Sequence, residues 1–311
     1  MKIKKAVIAA AGWGTRFMPV TKALPKEMLP LVNKPLIQYS VEEAVACGAE
    51  MVVIVTSTGK RAIEDYFDRS FELERVLSQK GDTRMVEQIR RLSEMADITF
   101  VRQKEQLGLG HAVLTCRNVI GDEPFFLLLP DDVFEYGSLV LENMADIYEY
   151  YNGSVVAAKR VPKAEVSRYG IVDAEKREER VFGVKDMVEK PAQDRAPSDL
   201  AVMGRYILTP DIFDILTETL PGAGGEIQLT DGLKTMARRG DVYAYEFLGE
   251  RYDAGTPLGW LKTTFTIALK DPVLGPEMKT FWGKYSSGGD ILIKTEEENI
   301  AKSVALSNVQ S

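Results

Sequence analysis

Ala6-Val7-Ile8-Ala9-Ala10-Ala11-Gly12-Trp13-Gly14-Thr15-Arg16 runs from an unbroken apolar stretch straight into two glycines, and its reading decides the fold. The run over 6–10 is expected to be a strand covered on both faces, because a half-exposed strand would alternate polar and apolar residues. Glycines directly after such a strand let the backbone pass close to a ligand and turn N–H groups toward phosphate oxygens. A dinucleotide fingerprint would need a third glycine at position 17, where Phe17 stands, and a Walker loop would need GxxxxGK[ST], which is absent. The segment continues through Pro19, Lys22, Pro25, Lys26, Glu27, Met28, Leu29, Pro30 and Pro35. Four prolines stiffen it while Arg16, Lys22 and Lys26 project from it. Fixed cations of this kind suit a triphosphate, since preorganised charge needs little rearrangement as a leaving group becomes negative.

Outward from this loop, apolar runs at 51–56, 98–101 and 125–129 read as further buried strands. Helix-period patterns at 36–47, 60–67, 84–95 and 111–118 lie between them. The alternation predicts βαβ units with right-handed crossovers and a ligand crevice at the carboxyl ends of the strands. The chemistry is then expected just after Ala10, near Gln103 and just after Leu129. Beyond about residue 150 the texture becomes β-rich, with strands at 154–159, 170–173, 181–189, 200–208 and 243–247. Helical patterns follow at 226–238 and 258–269, and the segment 285–311 is polar. One domain is expected over 1–284: a first half to about 150, a second binding half over 151–257 and C-terminal helices over 258–284. Residues 285–311 are expected to form a peripheral tail.

The whole chain of 311 residues carries a net charge of −7, which excludes a general nucleic-acid footprint. Residues 1–34 nevertheless hold seven basic side chains against one acid, Glu27. A basic focus on an acidic protein points to a small polyanion as ligand. Cys47 and Cys116 lie far apart without CxxC spacing, which argues against a disulfide framework or zinc site and for a reducing, cytoplasmic setting. No apolar run reaches the roughly 18 residues a bilayer span needs. His111 is the single histidine, so a metal cluster of several histidines is excluded.

Asp131 and Asp132 follow the 125–129 run, and neighbouring strand residues point oppositely, so one of the two faces the crevice. By itself Asp253 reads as a turn or capping residue, and the Glu189-Lys190 pair as a solvated surface pair. Gln103 can meet a base edge through its amide, with Gly108 permitting close backbone approach. The motifs taken together say more. Gly12-x-Gly14-Thr15-Arg16, Pro25-Lys26-Glu27-Met28-Leu29-Pro30, Gly108-Leu109-Gly110-His111-Ala112, Leu129-Pro130-Asp131, Glu189-Lys190-Pro191 and Gly224-Gly225-Glu226-Ile227-Gln228-Leu229-Thr230-Asp231 occur in one order. In that order and spacing, over roughly residues 3–283, the chain resembles the sugar-1-phosphate nucleotidylyltransferases, and among them the bacterial uridylyl-transferring branch.

The resemblance implies an α/β fold, Rossmann-like and three-layered, with a mixed, mostly parallel central sheet and β-rich sugar-binding insertions. It implies Mg²⁺ held by Asp131 and Asp253, the latter in Tyr252-Asp253-Ala254-Gly255-Thr256, with Asp132 left to a capping or solvent role. Ala10, Ala11, Gly12, Gly14, Thr15, Gln103 and Gly108 would bind the nucleotide, and Gly170, Glu189 and Gly204 the sugar. Arg16 and Lys26 would stabilise departing pyrophosphate, and Lys190 would orient the attacking phosphate. The implied reaction joins UTP and glucose 1-phosphate into UDP-glucose by in-line displacement at the α-phosphorus, which needs no general base because the nucleophile is already anionic. A thymidylyltransferase of the same chemistry and a non-catalytic sugar-nucleotide-binding regulator remain as alternatives. The resemblance also implies a homo-oligomer, dimer or tetramer. The segment Glu226 to Asp231 has no role readable from its residues beyond shaping a pocket or an interface.

Overall fold

The computed structural model describes residues 2–286 and divides into two compact units, Met1–Leu261 and Lys262–Ser311. The strands of the first unit are β1 (Lys5–Ala9), β2 (Pro30–Leu31), β3 (Lys34–Pro35), β4 (Met51–Thr56), β5 (Asp97–Arg102), β6 (Phe125–Leu128), β7 (Asp132–Phe134), β8 (Ser154–Arg160), β9 (Gly170–Glu178), β10 (Val181–Glu189), β11 (Leu200–Leu208), β12 (Val242–Glu246) and β13 (Arg251–Asp253). Its helices are α1 (Leu36–Ala46), α2 (Arg61–Phe67), α3 (Phe71–Gln79), α4 (Thr83–Glu94), α5 (Gly108–Leu114), α6 (Arg117–Ile120), α7 (Gly137–Tyr151), α8 (Ile212–Glu218) and α9 (Leu229–Ala237), and α10 (Pro257–Lys270) carries the chain into the second unit.

Nine strands form one sheet in the order β5-β4-β1-β6-β11-β8-β12-β10-β9. The run β5-β4-β1-β6 is parallel; β11 lies antiparallel to β6 and β8, β12 is parallel to β8, and β10 and β9 close the far edge as an antiparallel hairpin. The sheet is therefore mixed, with most of its parallel character on the side that begins at the glycine loop. The strands at its centre are covered on both faces, as their continuous apolar runs predict. Ala6, Ile8, Val52, Ile54, Phe126 and Leu128 enter one core with α1 and α7. Val7, Val53, Val55, Phe125 and Leu127 enter a second core with α5, α8 and α9. The period-2 alternation of a strand thus feeds two helical layers. Phe125 and Phe213 stack at 5.4 Å in the second core.

The helix expected over 111–118 is instead two, α5 and α6. The Thr115 hydroxyl donates back to the Ala112 carbonyl at 2.6 Å, a local bond that competes with the helical ladder. The helical stretch expected from 226 begins only at Leu229, because the chain before it is held extended against another loop (below). Helix α7, unforeseen from the sequence, buries Val140, Leu141, Met144, Ile147 and Tyr148 at helical spacing. Cys47 and Cys116 are free, and burial pushes both thiols up to about 12.

In the second unit α10 is followed by α11 (Leu274–Ser286). Asp271 turns the chain between them by accepting from the Val273 and Leu274 amides at 2.8 Å, and Phe265 meets Trp282 edge-on at 5.2 Å. The expected tail lies, from residue 287, outside the described residues. Among the described residues no helix is long and apolar enough to cross a membrane.

Candidate active site

The carboxyl ends of the parallel strands and the mouth of the antiparallel half enclose a cleft of about 640 Å³. Arg16, Asp131, Gly170, Glu189, Lys190, Gly204 and Asp253 all line it, so residues up to 237 positions apart in sequence are gathered into one place. A second cleft of about 530 Å³, beside Arg117 and Asp214, contains none of the expected residues.

On the parallel rim β1 is followed by Ala10, whose N–H donates to the Val55 carbonyl at 3.0 Å, and the Ser57 hydroxyl donates to the Ala11 carbonyl at 2.8 Å. Gly14 sits at φ +65°, and a Cβ there would also meet the Lys26 Cβ at 3.1 Å. Glycine is needed at this turn for its backbone angle and for the closeness of Lys26. The turn leaves Arg16 exposed, with no carboxylate in ion-pair range among the described residues. Gln103 is almost wholly buried; its amide nitrogen donates to the Gly108 carbonyl at 3.1 Å and meets His111 Nδ1 at 3.0 Å. This arrangement assigns the ring proton of His111 to Nε2 and turns the Gln103 Oε1 to the other side of the amide. His111 thus orients Gln103, a role its position in the motif did not disclose.

Asp131 and Asp132 take different partners, but both line the cleft, against the expectation that only one of them faces it. Asp131 Oδ2 accepts from Lys26 Nζ at 2.6 Å. Burial alone would raise this carboxyl, but the Lys26 ammonium and its hydrogen bond outweigh burial and hold it below the usual carboxylate range. For Lys26 burial favours the neutral amine, and Asp131 reverses that and raises it. Asp132 corrects the expectation of a capping or solvent-facing residue. It is buried, pairs with Arg251 and accepts from the Gly204 amide at 2.9 Å through Oδ2. The cause is the short β7–β13 ladder, whose register sets Asp132 opposite Asp253 in the cleft wall. Burial pushes the Asp132 carboxyl upward, against the pull of Arg251.

Asp131 and Asp253 converge around Gly255. A Cβ on Gly255 would lie 2.9 Å from Asp131 Oδ2 and 3.1 Å from Asp253 Oδ1. Asp253 Oδ1 accepts from the Gly255 amide at 2.9 Å, and its Oδ2 accepts from Arg168 at 3.0 Å. Among the described residues no three acidic, histidine or cysteine side chains form a metal-ligating group. Two hard carboxylates without a third fit a cation that takes its remaining oxygens from substrate and water, as Mg²⁺ does.

On the antiparallel rim, Gly170 pairs with Glu189 across β9–β10. Glu189 accepts from the Thr230 hydroxyl at 2.6 Å, and Lys190 reaches Glu189 at 3.0 Å. Lys190 adopts φ +45°, an unfavourable angle for a residue with a side chain, held by its N–H on the Tyr169 carbonyl at 3.0 Å. Gly204 lines the cleft, but its amide is engaged by Asp132 and its carbonyl by the Leu129 amide at 2.9 Å and by Arg205. It offers a ligand bare surface and not a hydrogen bond. A Cβ there would meet Leu129 Cβ at 2.9 Å, so the glycine is also required by packing.

Three supporting features were missed from sequence. Arg205 is fully buried, pairs bidentately with Glu43 at 2.6 and 2.7 Å, and donates to the Leu129, Gly204 and Asp132 carbonyls. It thereby clamps the turn that carries Asp131. Glu27 and Lys60 form a second buried pair at 2.6 Å behind Lys26, in which burial raises the carboxyl and lowers the amine. Third, residues 226–228 are spliced onto the 107–110 loop. Gly110 donates to Ile227 at 2.8 Å, Ile227 donates to Leu107 at 2.8 Å, and a Cβ at Gly108 would strike Ile227 O at 2.8 Å. The role left open for Glu226 to Asp231 is thus a wall joining the 107–110 loop, through Thr230, to Glu189.

The nucleotidyl transferase family model matches residues 5–268. A UTP–glucose-1-phosphate uridylyltransferase of Staphylococcus saprophyticus is 52% identical over 280 residues, covering 90% of this chain and 97% of that protein. One from Staphylococcus epidermidis is 51% identical over the same shares. A crystal structure of a UDP-glucose pyrophosphorylase complexed with UDP-glucose is 50% identical, with a TM-score of 0.79 over 86% of this chain and all of that one. A UTP-bound enzyme of the same kind from Acinetobacter baumannii is 39% identical, with a TM-score of 0.84 over 91% of this chain and 99% of that one. With a family model spanning most of its length and relatives above half identity along nearly all of theirs, the chain belongs to the nucleotidyl transferase family.

Proposed function

We propose that the protein transfers the uridylyl group of UTP to glucose 1-phosphate, forming UDP-glucose and pyrophosphate. The observation that carries this reading is the pair Asp131 and Asp253 about Gly255, with Lys26 and Arg16 on one rim and Lys190 with Glu189 on the other. That layout suits two anionic substrates brought to one point from opposite sides. The names of the relatives at 51–52% identity support uridylyl and glucose as the groups joined.

A phosphate oxygen of the sugar phosphate forms a bond to the α-phosphorus of UTP as the bond to the bridging oxygen breaks, and pyrophosphate departs with that electron pair. The attacking oxygen is anionic at neutral pH, so no side chain has to remove a proton. The backbone of Ala10 to Gly14 and Thr15 receives the triphosphate, and Gln103 Oε1 with Gly108 receives the uracil edge. Arg16 and Lys26 take up the charge that grows on pyrophosphate, Lys190 holds the sugar phosphate, and Glu189 accepts from glucose hydroxyls. Gly170 and Gly204 allow the sugar to approach the backbone. Asp131 and Asp253 would hold Mg²⁺, which screens phosphate charge when bound. Positioning and electrostatics account for nearly all the acceleration in chemistry of this kind.

The test is a matrix of nucleoside triphosphates and sugar 1-phosphates assayed for pyrophosphate release with Mg²⁺. UTP with glucose 1-phosphate is expected to dominate. Equal or better turnover with dTTP would reassign the base, and binding of UDP-glucose without any turnover would overturn the enzymatic reading.

A further inference from the structure

Each of the two carboxylates at Gly255 already carries a cation. Asp131 accepts from Lys26 at 2.6 Å, and Asp253 Oδ2 accepts from Arg168 Nη2 at 3.0 Å. The cations around Asp253 differ in kind. Arg251, 3.9 Å away, is largely buried and committed to Asp132, so it is a permanent countercharge. Arg168 is 51% exposed at the end of the short turn Lys163–Arg168, and its remaining contacts are Glu165 at 3.4 Å and the Tyr169 ring at 5.6 Å. A guanidinium so lightly held can leave.

Its alternative destination lies in the same cleft. Arg168 immediately precedes Tyr169 and Gly170; the Tyr169 carbonyl accepts from the Lys190 amide, and Gly170 pairs with Glu189. The guanidinium and the Lys190 ammonium are therefore carried on adjoining backbone and line one wall. A divalent cation drawing on Asp131 and Asp253 shares the Asp253 carboxylate whose Oδ2 Arg168 occupies, neutralises its charge and repels the guanidinium. A planar guanidinium set free beside a phosphate binds it through two parallel hydrogen bonds.

We propose that Arg168 is a phosphate-binding residue kept in reserve on Asp253: entry of a divalent cation displaces it, and it then takes the phosphate of the sugar 1-phosphate. The inference rests on reading Asp131 and Asp253 as metal carboxylates. It makes metal and sugar phosphate mutually reinforcing ligands, because each favours the arginine position the other needs. In the absence of substrate Arg168 opposes the metal.

The experiment titrates Mn²⁺ alone into metal-free protein and reads the free ion by its paramagnetic signal. Arg168→Gln is expected to bind Mn²⁺ roughly two- to fivefold more tightly than the unaltered protein, the range a half-exposed ion pair supports. Lys163→Gln removes the same charge from the same turn without touching Asp253, and should leave the affinity unchanged. In steady-state assays Arg168→Gln should raise KM for glucose 1-phosphate about tenfold or more with KM for UTP within about twofold, and Arg168→Lys should recover part of the loss. Unchanged or weaker Mn²⁺ binding in Arg168→Gln overturns the proposal, as does equal tightening in Lys163→Gln. A raised KM for UTP alone would assign the guanidinium to the triphosphate and overturn the sugar-phosphate assignment. Asp253→Asn separates the two levels. Wild-type Mn²⁺ affinity there would mean the metal-carboxylate reading has failed, whereas lost Mn²⁺ binding beside an indifferent Arg168→Gln would reject the arginine's role alone.

Discussion

On the parallel rim of the cleft, Lys26 and Asp131 rest on charges that are themselves buried, Glu27 with Lys60 and Arg205 with Glu43. On the antiparallel rim, Lys190, Glu189 and Arg168 make pairs open to solvent. The first arrangement resists rearrangement, because moving any member strands a charge away from water; the second gives way easily. One rim is built to present fixed charge and the other to adjust around what arrives. This suits a reaction in which a triphosphate must be held rigidly in line while a sugar phosphate is drawn up to it.

The contrast is broken most directly at its buried supports. Arg205→Met leaves Glu43 unpaired, and Lys60→Met leaves Glu27 unpaired; each is expected to cost about 3–5 kcal/mol in urea unfolding, with Glu43→Leu added to Arg205→Met recovering part of the loss. Losses below about 1 kcal/mol would mean that the parallel rim is no more rigidly founded than its neighbour. Next in size are the charges this foundation presents. Lys26→Ala and Asp131→Asn should each lower turnover by about 10²–10³. Activity within a few-fold of the unaltered protein would remove both from the reaction.

Acidity gives a smaller, signed effect. Asp131 lies below its ordinary value of 3.8 because Lys26 outweighs burial. Its contribution to stability is therefore present above that pH and fades as pH falls through the lower folded value. Between pH 5 and 8 Asp131 stays ionised, so the acid limb of kcat/KM should follow the substrate phosphate, near pH 6. An acid limb that moves by about half a unit in Lys26→Arg would trace it to the protein instead. The smallest effect belongs to the open rim: Lys190→Gln should change unfolding stability by less than about 1 kcal/mol while raising KM for glucose 1-phosphate. A larger loss of stability would show that Lys190 is part of the frame.

What could be read in the sequence was local. Residues 6–10 and 51–56 are unbroken apolar runs because both faces of their strands are covered, and the turn angle that Gly14 needs is written in the glycine itself. The pair Asp131 and Asp132 could be found because it follows such a run, and the family resemblance chose between them. The pairings that give these residues their character join Lys26 to a residue 105 positions away and Arg205 to one 162 away, distances at which no periodicity speaks. Asp132 misled for the same reason: its burial depends on β13, which returns to β7 only after the whole second half of the sheet. Gly204 looked like a place for a sugar to touch and is also a place where Asp132 needs room. Helix α7 carries helical spacing at Val140, Leu141, Met144 and Ile147, although it was not among the expected helices.

The splice between the 107–110 loop and residues 226–228 has a consequence for anyone wishing to redesign this protein. A base pocket and a sugar pocket invite separate alteration, one library for each, with the winners combined at the end. On the proposed assignment of Gln103 and Gly108 to the base and Glu189 to the sugar, the two would share a seam of backbone hydrogen bonds, with Glu226 to Thr230 behind one and beside the other. Enlarging the space for a bulkier base would shift the Thr230 hydroxyl that steadies Glu189, and substitutions selected at the two ends will not combine independently. Libraries that vary 108–110 together with 226–230 follow the grain of the molecule.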